Sequence, residues 1–265
     1  MKKRLRLVYA VTLWLGSCIA GAAAAAGNDD TYLSYTGTAV AQRNDGFLYH
    51  EQHVLQYRDG KLQSRVVLYT CRDGAAFARK EVSYVDPFAP DFALEDASNG
   101  MHEGIRTQGS VRDVFFRADT AATEKSRALP RVQGLVADAG FDAFVQANWQ
   151  SLLQGQSLTM DFLVPSRLED LGFKVYHVRS GEADGVPVEM FRLKLSGFLG
   201  WVAPSIDVYY NAKDHTLVRY VGLSDLRDGS NENFNVRIDF PPQERKSGDP
   251  QAMMTARRAP LAPCH

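Results

Sequence analysis

Residues 140–178, GFDAFVQANWQSLLQGQSLTMDFLVPSRLEDLGFKVYHV, decide the fold. Phe141, Phe144, Val145, Trp149, Leu152 and Leu153 recur at spacings of three and four, which makes one broad apolar stripe on a helix. Asp138 or Asp142 stands where a cap or first-turn acid favours a helix N-terminus, and Gly155 follows as a stop. Beyond Gly155 the period changes to two. Leu158, Met160, Phe162 and Val164 alternate with Thr159, Asp161 and Leu163, as side chains do on the two faces of a strand. After a turn at 165–172, residues 173–179 continue as strand.

Working outward toward the N-terminus, alternating segments at 32–42 and 47–57 form a first hairpin through Arg43-Asn44-Asp45-Gly46. Arg58-Asp59-Gly60 turns into 62–71, and Arg72-Asp73-Gly74 turns into 77–85. Asp-Gly between alternating segments is a strong hairpin signal, because tight turns need positive φ and Gly supplies it. The spacing predicts an up-and-down meander. Residues 86–104, with Pro87, Pro90, Asp91, Glu95, Asp96 and Gly100, read as a long acidic loop. Residues 105–118 return to strand, and 119–134 read as a second polar connection without a period.

Toward the C-terminus, Glu182-Ala183-Asp184-Gly185 is another turn. Phe191, Leu193 and Leu195 then share a face, and Ile206, Val208 and Tyr210 share one in the next segment. Residues 217–226 follow the turn Asn211-Ala212-Lys213-Asp214. Phe234, Val236, Ile238 and Phe240 make the cleanest alternation, which Pro241-Pro242 ends. The fold expected is mainly β (α+β): a strongly curved antiparallel sheet, or incomplete β-barrel, of about ten strands with one amphipathic helix packed across the opening. Residues 27–242 would form this single half-barrel domain, and 243–265 a disordered basic tail unless Cys264 pins it.

The first residues read as an export signal. Lys2, Lys3, Arg4 and Arg6 precede a short apolar run, and Ala22 to Ala26 supply small residues for cleavage, so 1–26 is taken as a signal peptide. The run is shorter than the ~20 apolar residues of a membrane span, and no later segment qualifies. The expected location is periplasmic. The alternative is a lipid anchor through Cys18, because Leu15-Gly16-Ser17-Cys18 resembles a lipobox. Cys71 and Cys264 then remain as a plausible disulfide in an oxidising compartment, against the competing reading of two unrelated thiols.

A formal net charge of -1 gives no electrostatic case for nucleic acid. The sequence holds no G-x-S-x-G elbow, no P-loop, no G-x-G-x-x-G and no C-x-x-C. No cofactor, metal site or catalytic residue is assigned, and the protein is expected not to be an enzyme. His50 and His53 lie three apart and point to opposite faces of a strand, so they cannot clasp one metal. Glu51 and His53 share a face, and a cross-strand polar pair there is the preferred reading over half of an active site.

The helix FDAFVQANWQSLL, the strand SLTMDFLVP and the segments IDVYYNAKDHTLVRYVGLSDLRD and NFNVRIDF together resemble the periplasmic lipoprotein-carrier superfamily of half-barrels. The likeness is strongest to its uncharacterised exported relatives. The resemblance implies a non-catalytic envelope protein that binds a lipid or other hydrophobic ligand. Phe141, Phe144, Val145, Trp149, Leu152, Met160 and Phe162 are the candidate lining of its cavity. Its partner would be an acyl-chain ligand or another envelope protein. The alternative is an interaction or assembly factor with a packed core, and an envelope hydrolase ranks third.

Overall fold

The computed structural model describes residues 30–129, 134–197 and 204–264; the expected signal at 1–26 and Cys18 lie outside them. The alternating segments form strands as their turns demand. Asp59 and Gly60 adopt φ of 50° and 72°, the left-handed pair of a two-residue hairpin turn. They join β2 (Phe47–Arg58) to β3 (Lys61–Thr70). Asp184 and Gly185 repeat this, with φ of 49° and 79°, between β11 (Glu169–Ala183) and β12 (Val186–Leu195).

The remaining strands are β1 (Asp30–Ala41), β4 (Ala76–Ser83), β5 (Asp91–Asp96), β6 (Met101–Gln108), β7 (Val111–Arg117), β8 (Lys125–Ala128) and β9 (Leu135–Val136). They continue with β10 (Leu158–Val164), β13 (Ile206–Asn211), β14 (Leu217–Arg227), β15 (Asn233–Asp239) and β16 (Lys246–Ser247). All sixteen belong to one sheet. Its order is β8-β7-β6-β5-β4-β3-β2-β1-β15-β14-β13-β12-β11-β10-β9, with β16 paired to β1. Neighbours are antiparallel except β9 and β10. The outer edge of β1 is shared: β15 pairs with Thr38 to Ala41, and β16 with Leu33 and Ser34.

The count of about ten strands is corrected to sixteen. The region 86–104 read as a loop contains β5 and the start of β6, and 119–134 contains β8 and the beginning of the β9 approach. Residues 105–118, read as one strand, break at Gly109, whose φ of 61° makes the turn between β6 and β7. Short strands rich in Asp, Glu, His and Arg carry too little apolar alternation to announce themselves. Their neighbours in the sheet recruit them.

Among the described residues the two ends of the sheet do not hydrogen-bond to each other, so the barrel is incomplete along its backbone there. Side chains close the seam. Arg127 of β8 donates to the Leu168 carbonyl and lies 3.3 Å from Asp170 at the start of β11. Phe92, Ile105, Val114, Leu129, Leu135 and Leu163 pack across the same junction. At one barrel mouth the antiparallel order gathers Tyr49, Tyr69, Phe77, Leu94, Met101 and Leu226, which fill that end.

The helix expected at 141–153 is present as two pieces, α1 (Gly140–Ala147) and α2 (Trp149–Leu153), broken at Asn148. The Asn148 side-chain amide donates to the Phe144 carbonyl at 2.8 Å and supports the break. The apolar stripe survives it. Val145, Trp149 and Leu152 pack on Val175, Phe191, Leu193, Val208 and Tyr210, the inner faces of β11–β13. Gly140 is required at the start, because a Cβ there would overlap the Phe88 carbonyl.

The basic segment after residue 242 is ordered rather than a free tail, as the pinning by Cys264 implies. It carries β16 and α3 (Pro250–Arg258), whose N-cap Asp249 accepts from the Ala252 amide at 2.7 Å. Met253 and Ala256 pack on Val54 and Val66, on the outer face of β2 and β3. The Cys71–Cys264 disulfide, with Cα atoms 5.7 Å apart, ties the segment's end to the close of β3. Among the described residues no helix is long and apolar enough to cross a membrane.

Candidate functional site

Alternation on β2 turns Glu51 and His53 inward, and both are buried. They bond to each other, His53 Nε2 to Glu51 Oε2 at 3.0 Å, rather than across strands. His50, on the opposite face, pairs instead with the Thr38 hydroxyl at 3.1 Å. The His53 ring stacks on Tyr35 with centroids 4.4 Å apart. Burial lowers the His53 pKa, and the bond to Glu51 only partly opposes it.

The same inward phase on β4 and β6 presents Lys80 and Glu103. Lys80 Nζ donates to Asp138, just before α1, and to Asp225 on β14 at 2.6 Å. Burial opposes its charge, but the two carboxylates outweigh that and hold its pKa well above the usual lysine value. Burial likewise pushes Asp138 up, and Lys80 overrides it, so the carboxyl titrates below its ordinary range. Asp225, whose side chain stays half exposed, reaches the cavity because β14 bulges: residues between Leu223 and Arg227 outnumber those between their partners Asn235 and Asn233. The bulge also turns in Ser224, whose hydroxyl lies 2.8 Å from the Tyr49 hydroxyl.

Glu103 is pushed up to about 8, by burial first and then by the charge of Asp225, with Lys80 opposing. It is the odd member of the set. Among the described residues its carboxyl has no hydrogen bond or ion pair, although the side chain is only 6 % exposed. Asp142, in the first turn of α1, accepts from the Tyr210 hydroxyl at 2.7 Å and lies 3.7 Å from Arg65 of β3. The two acids expected to favour the helix N-terminus thus serve the barrel interior, and neither makes a side-chain capping bond at Ala139.

These groups surround a cavity of about 230 Å³. One wall is polar: Glu51, His53, Arg65, Lys80, Glu103 and Asp225, with Asp138 and Asp142 at the helix end. The other is apolar and aromatic, including Phe141, Phe162, Leu193, Val208, Ile238 and Phe240. A wider groove of about 530 Å³ lies between α1 and the β2–β3 turn. It shares Tyr35, Arg65, Ala139, Asp142 and Leu217 with the cavity, so these residues stand between cavity and groove. Taking a charge out of water costs several kcal/mol even when paired. A wall that repeats this cost several times over is a functional-site signature.

Of the seven lining candidates from the sequence, Phe141 and Phe162 line this cavity. Val145, Trp149, Leu152 and Met160 sit in the packed cluster under the helices, and Phe144 is half-buried against Phe88, 6.0 Å between ring centroids. Arg65, Lys80, Glu103 and Asp225 were not anticipated. Three of them had a signal. Arg65 shares its phase with Val67 and Tyr69, Lys80 with Ala78 and Val82, and Glu103 with Met101 and Ile105. A charged residue in the apolar phase of a strand is a buried charge in waiting. Asp225 had none, since only the bulge turns it inward.

No family model matches the chain, and no curated protein matches it. Among solved structures, a beta-barrel-like protein of the domain of unknown function DUF1849 from Brucella abortus is similar at 6% sequence identity and a TM-score of 0.49. The match covers 83% of this chain and 98% of that one. What the fold itself defines is a β-barrel-like protein with a partly charged interior.

Proposed function

We propose that the protein is a non-catalytic, exported envelope protein that binds a small amphiphilic molecule inside its barrel. The observation that carries this reading is the two-sided cavity, mostly apolar along β10–β15 except for Ser224 and Asp225 of the β14 bulge, and charged along β2–β6. Ligand sites are concave and mostly apolar, with a few polar groups that set orientation. The volume of about 230 Å³ falls just short of the ~300–1,000 Å³ of sites for drug-sized ligands, which favours a compact ligand over a full acyl chain. The resemblance to lipoprotein-carrying half-barrels supports the reading in outline.

A binding role fits the hydrogen bonding better than a hydrolytic one. The imidazole of His53 is bonded to Glu51, and the Ser224 hydroxyl in the same cavity is bonded to Tyr49. A nucleophile would need that hydroxyl and that base paired. The Cys71–Cys264 bond and the signal-like N-terminus support a periplasmic location. Native mass spectrometry of protein taken from the periplasmic fraction tests both parts. A bound small molecule released on unfolding is expected; cytoplasmic retention, or an empty barrel that also fails to take up small amphiphiles, would overturn the proposal.

A further inference from the structure

Building on the binding role proposed above, we infer that the ligand carries a positively charged, hydrogen-bond-donating group, an organic ammonium or guanidinium, seated against Glu103. The cavity is lined by five carboxyl-bearing side chains, Glu51, Glu103, Asp138, Asp142 and Asp225, and by two permanent cations, Arg65 and Lys80. Both cations already face carboxylates. Lys80 holds Asp138 and Asp225, and Arg65 lies 3.7 Å from Asp142. Among the described residues, Glu51, bonded to His53, and Glu103 are the acids without a cation of their own.

The unfilled acceptors are the second, independent sign. Glu103 is buried beyond nine-tenths and without a donor among the described residues. His53 lines the same space, and its Nδ1 is buried without a partner. If Nε2 carries the proton given to the Glu51 carboxylate, Nδ1 is a bare lone pair and calls for a donor. A ligand rich in N–H satisfies the buried His53 Nδ1, and its cation takes the place of the proton that burial keeps on Glu103 at the cavity wall. The groups that face Glu103 are Lys80 of β4, Asp225 and Arg227 of β14, and Asp138 before α1. The aromatic rings of Phe92, Tyr69 and Tyr220 in the lining also suit a cation, whose charge is attracted to ring faces. A metal ion fits poorly, because among the described residues no three His, Cys, Asp or Glu are grouped to hold one. An anionic head would have to turn to the Arg65 Nε, which is buried without an acceptor.

Three probes of one chain length, hexylammonium, hexanol and hexanoate, separate these possibilities by titration calorimetry on the purified protein. At pH 9, where Glu103 is ionised and the probe amine still charged, hexylammonium is expected to bind about tenfold or more tightly than hexanol, since a charge-assisted hydrogen bond replaces a neutral one. Glu103→Gln, close to isosteric, is expected to erase most of that preference. Hexanol or hexanoate binding as tightly as hexylammonium would overturn the cationic head and leave the amphiphile-binding role standing. A preference for hexylammonium retained in Glu103→Gln would overturn the seat. Failure of all three to bind would overturn the binding role and this inference together.

Discussion

The inner faces of β2–β6 and of β11–β13 arise from equally regular alternation, yet they are opposite in chemistry. The first presents Glu51, His53, Arg65, Lys80 and Glu103; the second presents Val175, Phe191, Leu193, Val208 and Tyr210. The difference follows from what each face meets. The helices α1 and α2 lie on the second face and demand apolar partners, because a helix stripe of Val145, Trp149 and Leu152 can offer nothing else. The first face meets the cavity and the N-terminal acids of α1, so its charges find counter-charges there. One element therefore sets both chemistries: its stripe dries one wall and its first turn charges the other.

The largest expected effect tests the charged half. Lys80→Met leaves Asp138 buried without its cation and should cost about 3–5 kcal/mol in urea unfolding. Adding Asp138→Asn should recover much of that loss. A near-neutral Lys80→Met would show that the charged wall is as tolerant as a surface, and the contrast between the faces would fall.

Leu152→Ala tests the apolar half. Leu152 is wholly buried under β11–β13, and its truncation should cost about 2–5 kcal/mol by lost transfer energy and the cavity left behind. A cost under about 1 kcal/mol would mean that α2 is not packed as the stripe requires. The two substitutions share no direct partner, so their costs should add.

The smallest effect is a pH slope. The folded protein holds a proton on Glu103 up to about pH 8, whereas the unfolded chain releases it near 4.5. Between those values the folded state binds the extra proton, so this group's contribution to stability falls as pH rises. Melting scans at pH 6 and pH 7, one unit apart inside that window, should show wild type losing a few degrees more than Glu103→Gln. Equal slopes in the two proteins would mean that Glu103 is not held protonated by the barrel.

Much of the architecture is legible in the residues. The Asp-Gly turns, the period change after Gly155 and the apolar phase of β10–β15 each follow from local chemistry, and so does the shared face of Glu51 and His53, although the two pair along β2 and not across strands. The strands β5, β8, β9 and β16 escaped for a local reason too. Segments such as Lys125–Ala128 are short and polar, and they are strands only because β7 offers them an edge. The candidate site was half visible. Arg65, Lys80 and Glu103 stand in inward phases, but nothing in their own segments says whether that phase meets a helix or a cavity.

What the sequence determined by itself is which side chains travel together: the helix stripe, the inward and outward phases, the turns and the two cysteines. Those are short-range matters of backbone period and φ. The tertiary structure decided what each phase faces. Lys80 meets Asp138 across 58 positions and Asp225 across 145, and Cys71 meets Cys264 across 193. Such contacts exist only once the sheet has curled, because curvature, the β14 bulge and the seat of α1 bring together groups that no window of sequence contains. The residues 140–178 name the plug; the barrel around it makes Asp138 and Asp142 part of a charged wall.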